Sequence, residues 1–360
     1  MINWTALWSM RRMQNEKERR MKQLKYNRLL KASLLVSVFL TVPRITDAQN
    51  TLIDGNDGVL PTPPGLFVTP TAPLTGATQQ PLNPGLASYP DYVAGEAVKA
   101  VVSPNGKILA ILTAGFNSLY KAYVAGSPAT VDKAASTQFI FLYDVTDQAK
   151  RKPVLIQVIQ QLNSHVGLVW APNSQVLYAT GGCDDAVYAY RKAGSNFVQG
   201  AKISLGHAPN GCLSNSANQT GLGLGIEPNA AGLAISDDGK TLVVANNYND
   251  SISVIDTASA TVRYEYDLRP YSTSGAPAGT KGGTFPYSVV LNGTTAYVGC
   301  DRDRELVVVN IGAAAGSLVA RIPLDGNPNG MTLSNNRLYV AQDKPGPGRS
   351  DQHRDEHDHP

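Results

Sequence analysis

Apolar residues in this chain come in short blocks, bounded by Gly, Asn, Asp and Ser, and the stretch 236–262 shows the pattern best: SDDGKTLVVANNYNDSISVIDTASATV. A polar turn at Asp237, Asp238 and Gly239 leads into an apolar block from Thr241 to Ala245. An Asn/Asp loop runs from Asn246 to Asp250, and an alternating block with Ile252 and Val254 then stops at Asp256 and Thr257. Continuous or period-two blocks of this length predict β-strands, because side chains alternate across a strand and helical spacing is absent.

Variants of this unit recur. Its second strand supplies an anchor at Leu109 (GKILAIL), Leu177 (SQVLYAT), Leu242 (GKTLVVA), Ala296 (GTTAYVG) and Leu338 (NNRLYVA). The anchors are 68, 65, 54 and 42 residues apart. The last interval is near the ~40–45 residues of a four-stranded propeller blade. The longer ones imply inserts near 120–138, 207–230 and 271–284, all rich in turn residues.

Around each anchor the pattern predicts a small apolar first strand (167–170, 232–235, 288–291, 330–333). A third, alternating strand follows (139–143, 186–190, 251–255, 306–310), and then a fourth (155–159, 262–266, 318–322). The expected fold is all-β, a propeller whose radial closure protects the sheet edges. The expected domains are a leader (1–48), a Pro/Gly-rich arm (49–96), the repeats (97–343) and an anomalous tail (344–360). Dense proline in the arm excludes helix and central strand, and Leu66 to Val68 could pair as an edge or closing strand.

Charge and cysteines refine this picture. The net charge of +3 comes from the leader, with ten Lys/Arg and three Asp/Glu in residues 1–48; 21 Lys/Arg against 25 Asp/Glu follow. The body is therefore mildly acidic, and no nucleic-acid partner is expected. Lys22, Lys25, Arg28 and Lys31 precede an eleven-residue run, Ala32 to Val42, with small Ala48 beyond. That is a secretory signal pattern, which predicts a periplasmic or secreted protein. The run falls short of the ~20 residues of a spanning helix; the alternative is an uncleaved anchor. Met21 would give a leader of ordinary length, so residues 1–20 could precede the true start. An exported protein can form disulfides. Cys183 and Cys212 are the candidate pair, with Cys300 left over; three buried thiols are the alternative.

At Val244, Ala245, Asn246 and Asn247, with Ser253 to Thr257, the chain resembles the YVTN propeller repeat. Residues 59–343 resemble the propeller half of bacterial YncE-type proteins fused to an alkaline-phosphatase-like phosphoesterase. The segments that carry this are 82–85 (LNPG), 103–106 (SPNG), 181–185 (GGCDD), 267–270 (DLRP), 301–305 (DRDRE) and 327–331 (NPNGM). The resemblance implies seven blades. Four full repeats and part of a fifth are present, and the phosphoesterase half is not. After Lys344 the chain reads PGPGRSDQHRDEHDHP, where a third strand is due. Codons for Gly346 to Pro360 permit a repeat-like sequence when read one base out of frame, so this tail is expected to be out of frame.

The candidate binding surface follows from the loops. Those between second and third strands hold Asp184, Asp185, Asn246, Asn247, Asp250, Asp301 and Arg302. Propeller geometry gathers them on one face, where His165, Asn229, Tyr287 and Asn329 precede or open the inner strands. Turn-making is the competing role for each Asp and Asn. No catalytic constellation, metal set or cofactor motif stands out. Gly221 to Gly225 lacks phosphate-loop spacing, and without the tail only His165 and His207 remain as histidines. The expectation is an exported binding or scaffold module with an unknown ligand or protein partner; a lactonase-like or other hydrolase at the mouth, or a non-functional fragment, is the alternative.

Overall fold

A computed structural model describes residues 80–343, apart from 116, 123, 124, 126, 148–151, 208–228, 271–275, 278 and 313. The leader, residues 49–79 of the arm, Cys212, Gly221 to Gly225 and the tail therefore lie outside the described residues.

In the described residues, eighteen strands form four four-stranded antiparallel meanders and a hairpin. Blade one is β1 (Ala97–Val102), β2 (Ile108–Thr113), β3 (Gln138–Asp144) and β4 (Val154–Gln161). Blade two is β5 (Leu168–Trp170), β6 (Val176–Thr180), β7 (Ala186–Ala193) and β8 (Asn196–Ser204). Blade three is β9 (Ala230–Ile235), β10 (Thr241–Asn246), β11 (Ser251–Asp256) and β12 (Thr261–Asp267). Blade four is β13 (Pro286–Asn292), β14 (Thr295–Cys300), β15 (Glu305–Asn310) and β16 (Ser317–Pro323). The hairpin is β17 (Asn327–Ser334) with β18 (Arg337–Asp343). Each first strand touches the first strand of the next blade, so the sheets stack radially about their inner edges. The chain is a β-propeller array.

The anchor strands sit second in each sheet, as their pattern predicts. β8 is a strand that the block pattern did not announce. Its sequence, NFVQGAKIS, puts Gly200 and a run of polar residues where the other fourth strands are apolar. It is held instead by pairing with β7 and by Phe197 and Ile203, both buried.

Packing explains why the middle strands are apolar on both faces. In β6, Leu177 and Ala179 point into a core shared with blade one, while Val176 and Tyr178 point into a core shared with blade three. In β10, Leu242 and Val244 face blade two and Val243 faces blade four. Period two thus splits one apolar run between two interblade cores.

Glycine opens the inner strands at two close approaches. A Cβ on Gly167 would lie 2.4 Å from the Ala231 carbonyl, and one on Gly232 would lie 2.5 Å from the Tyr287 carbonyl. Thr180 locks the first contact: its Oγ1 accepts from the Gly167 amide (3.0 Å) and donates to the Ala231 carbonyl (2.9 Å).

The described part of the arm wraps blade one. Leu82 and Ala94 are buried and joined by an Ala94 N–H to Leu82 carbonyl bond of 2.8 Å. The Tyr89 hydroxyl donates to Asp132 (3.0 Å), and the Tyr92 ring lies 6.3 Å from that of Phe139.

Candidate functional site: the channel mouth

Antiparallel meanders fix which loops meet. Strands alternate in direction, so the second-to-third and fourth-to-next-first connections emerge at one end of every blade. That end holds every residue expected at the mouth, but the side chains divide into two groups.

His165 and Tyr287 face each other. Their ring centroids are 5.6 Å apart at 76°, an edge contact spanning from blade two to blade four. Burial pushes the His165 imidazole down from 6.5 to about 4, so it is neutral at pH 7. Burial, with the nearby Asp301 charge second, raises the Tyr287 phenol, which stays protonated. Asn329, on β17, donates to Asp343 across its hairpin (2.6 Å).

The carboxylates are engaged elsewhere. Asp184 is buried and accepts from the Tyr188 hydroxyl and the Asn163 amide, each at 2.8 Å. Asp185 is 1% exposed and sits in the left-handed region at φ +50°. Its oxygens accept from the His207 backbone N–H (2.5 Å) and meet His207 Nδ1 (2.8 Å). Asp250, at φ +54°, accepts from the Phe285 amide (3.0 Å). Burial raises Asp250 to about 6, opposed by that hydrogen bond and by Arg269 and reinforced by Asp303 and Asp267. Asp301 is half-buried, which raises its carboxyl, and its carbonyl takes the Asn327 amide (2.9 Å).

Asn246 is fully buried and donates to Ser251 and Ser253 (2.9 Å each). Asn247 donates to the Pro286 carbonyl (3.2 Å) and so ties blade three to the start of β13. Arg302 lies over the Phe285 ring, 5.5 Å from its centroid.

Three residues that the sequence reading left unassigned organise these contacts. His207 sits between blades: Nδ1 meets Asp185 of blade two, and Nε2 lies 3.0 Å from Glu265 of β12, close enough for charge contact though off-axis for a hydrogen bond. Glu265 also accepts from Asn249 and Ser251. Burial alone would lower His207, but the two carboxylates outweigh it and raise it to about 9. Phe285 is the third. Its N–H goes to Asp250, its carbonyl accepts from the Asp301 N–H (2.9 Å), and its ring carries Arg302 and Tyr248.

Cys183, beside Asp184, is disulfide-bonded, and Cys300 is a free, fully buried thiol. Among the described residues no group of three or more His, Cys, Asp or Glu is placed to hold a metal, and no helix is long and apolar enough to cross a membrane.

No family model and no curated protein matches the chain. Solved structures do resemble it. A protein from Lactobacillus plantarum aligns with a TM-score of 0.47 and 11% identity, over 69% of this chain and 65% of that one, less than two thirds of its length. The periplasmic gluconolactonase of Pseudomonas aeruginosa aligns at 0.42 and 15%, over 70% and 75%. Chaetomium thermophilum Sqt1, solved bound to the N-terminus of a ribosomal protein, aligns at 0.43 and 14%, over 70% and 57%.

Proposed function

We propose that the chain is an exported binding or scaffold module of the YVTN type, with its ligand site at the channel mouth. The fate of the carboxylates carries this reading. Asp184, Asp185 and Asp250 spend their oxygens on buried bonds within the protein. The inward-facing groups, His165 and Tyr287, are neutral at pH 7. His165 hydrogen-bonds to no nucleophile or carboxylate among the described residues. General-base chemistry needs such a pair within hydrogen-bond reach. The neutral pair of rings, His165 and Tyr287, suits recognition of a neutral polar ligand. The leader pattern and the Cys183 disulfide support export, because disulfides persist in oxidising compartments.

The test is to titrate purified protein with lactones, phosphate esters and neutral oligosaccharides while following the His165 ring resonances. The expected result is saturable shifts without turnover, lost in Tyr287→Ala. Turnover of a lactone or phosphate ester that disappears in His165→Ala would replace this reading with a hydrolase.

A further inference from the structure

At the opposite end of the blades, where first strands turn into second and third into fourth, blades two and three leave a cleft of about 430 Å³. Its two walls differ chemically. Blade two contributes Asn173, Tyr178 and Arg191; blade three contributes Asp238 and Thr257.

Tyr178 is 4% exposed, yet its hydroxyl makes no hydrogen bond among the described residues and is not sealed off from the cleft that it lines. A hydroxyl that reaches the cleft with no protein partner is free to donate to a bound acceptor. Arg191 is exposed, makes no ion pair among the described residues, and is near enough for its charge to act on the Tyr178 phenol. This wall therefore offers a guanidinium and a phenol O–H, the pairing that receives a carboxylate.

The facing wall accepts. Asp238 Oδ1 takes the Ser236 hydroxyl (2.6 Å) and the Lys240 amide (3.0 Å), which hold the carboxyl below its ordinary range and keep it ionised. Thr257 Oγ1 spends its proton on the Gly239 carbonyl (2.8 Å), which leaves its lone pairs to accept. A second carboxylate would be repelled here, whereas hydroxyl donors would be received. The volume falls in the ~300–1,000 Å³ range of small-molecule sites.

We propose that this cleft binds a small monocarboxylate whose neighbouring carbons carry hydroxyls, a sugar acid or hydroxy acid. Its carboxylate meets Arg191 and Tyr178, and its hydroxyls meet Asp238 and Thr257. The site is separate from the mouth and does not depend on the role proposed there.

Calorimetric and NMR titration of the full chain with galacturonate, galactose and acetate tests it. Galacturonate is expected to saturate, with galactose and acetate each at least about ten-fold weaker, since each lacks one half of the recognition. Arg191→Met is expected to weaken galacturonate about ten-fold or more and Tyr178→Phe about three-fold or more. Unfolding temperatures are measured alongside, so that lost binding is read only from folded variants. No binding of galacturonate, equal affinity for acetate, indifference to Arg191→Met, or loss of binding in Tyr287→Ala at the mouth would each overturn the proposal.

Discussion

His207 shows how one residue can hold two blades together without advertising it in sequence. It lies at the end of blade two's last strand, before a turn-rich insert, and its partners are 22 residues back and 58 residues ahead. Nothing local marks that contact. Its pH dependence follows from the raised pKa. The folded state holds the proton up to about pH 9, whereas an unfolded histidine releases it near 6.5. The stabilisation is therefore complete below about pH 6.5 and lost as pH rises through 9. Urea unfolding of wild type against His207→Ala should show a deficit of about 3 kcal/mol at pH 6, because Asp185 is left buried and uncompensated. That gap should narrow at pH 9.5. Asp250 has a raised pKa too, but here the favoured form is neutral. Its carboxyl titrates near 6 in the fold against 3.8 for the free group, so stability falls as pH rises from about 4 to 6 and stays lowered above that. Asn keeps the acceptor for the Phe285 amide and tolerates φ +54°. Asp250→Asn should stabilise the protein by about 1 kcal/mol at pH 8, with the gain shrinking as pH falls toward 4. The loop Asn246 to Asp250 stood out in the sequence as polar. That its polarity is buried, with Asn246 at 0% exposure, was not legible, because the loop's partners include Glu265 of β12 and Phe285 and Pro286 at the start of blade four.

At the scale of the element, the strand pattern was easy to read and its irregularities were not. Third and fourth strands shift register at the same place in every blade: Leu142/Tyr143, Tyr188/Tyr190, Val254/Ile255 and Val308/Val309. A bulge bends a strand and increases its twist. Four in equivalent positions give four sheets the same twist, so that neighbouring faces match. No single residue type marks these sites: the extra residue lies on the fourth strand and is Ile156, Arg263 and Val319 in blades one, three and four. The inner strands differ: their glycines were visible, and the structure shows what they permit. Gly167→Val would drive a branched side chain into the Ala231 carbonyl and Thr180, both within 2.6 Å of the added Cβ. That position cannot relax without separating two inner strands. The variant should lose about 2–3 kcal/mol, seen as a lower unfolding midpoint with an unchanged slope. Gly194→Ala, at a turn where an added Cβ meets nothing within 4 Å but φ is +62°, should cost about 1 kcal/mol from backbone strain alone.

For the whole molecule, stability should be distributed along the array and not concentrated in one core. Three apolar clusters lie between blades one and two, two and three, and three and four. Each blade but the first and last is clamped on both faces. Between blade four and the β17–β18 hairpin, no such cluster of buried residues exists among the described residues. β18 has no buried residue, and Tyr339 is 53% exposed. In such arrays, stability approximates a sum of unit and neighbour-interface terms, and amide exchange reports the opening free energy of each part. Hydrogen exchange should therefore grade along the chain. Amides of β10 and β11, buried with interblade cores on both faces, should exchange only through the largest opening, while those of β17 and β18 exchange through a local one. Cys300 offers an independent reading of the same gradient. It is fully buried in β14, its thiol pushed well up by burial, and its neighbour Gly299 meets Pro328 of β17. Its side chain lies with Ala296 and Val298 on the face of β14 that packs against blade three, while Gly299 faces the hairpin. Opening the hairpin alone should therefore leave the thiol covered. Labelling by a thiol reagent should be slower than exchange of the β17 amides and follow opening of the interface between blades three and four. Labelling as fast as β17 exchange would show instead that the hairpin and blade four open as one cooperative unit.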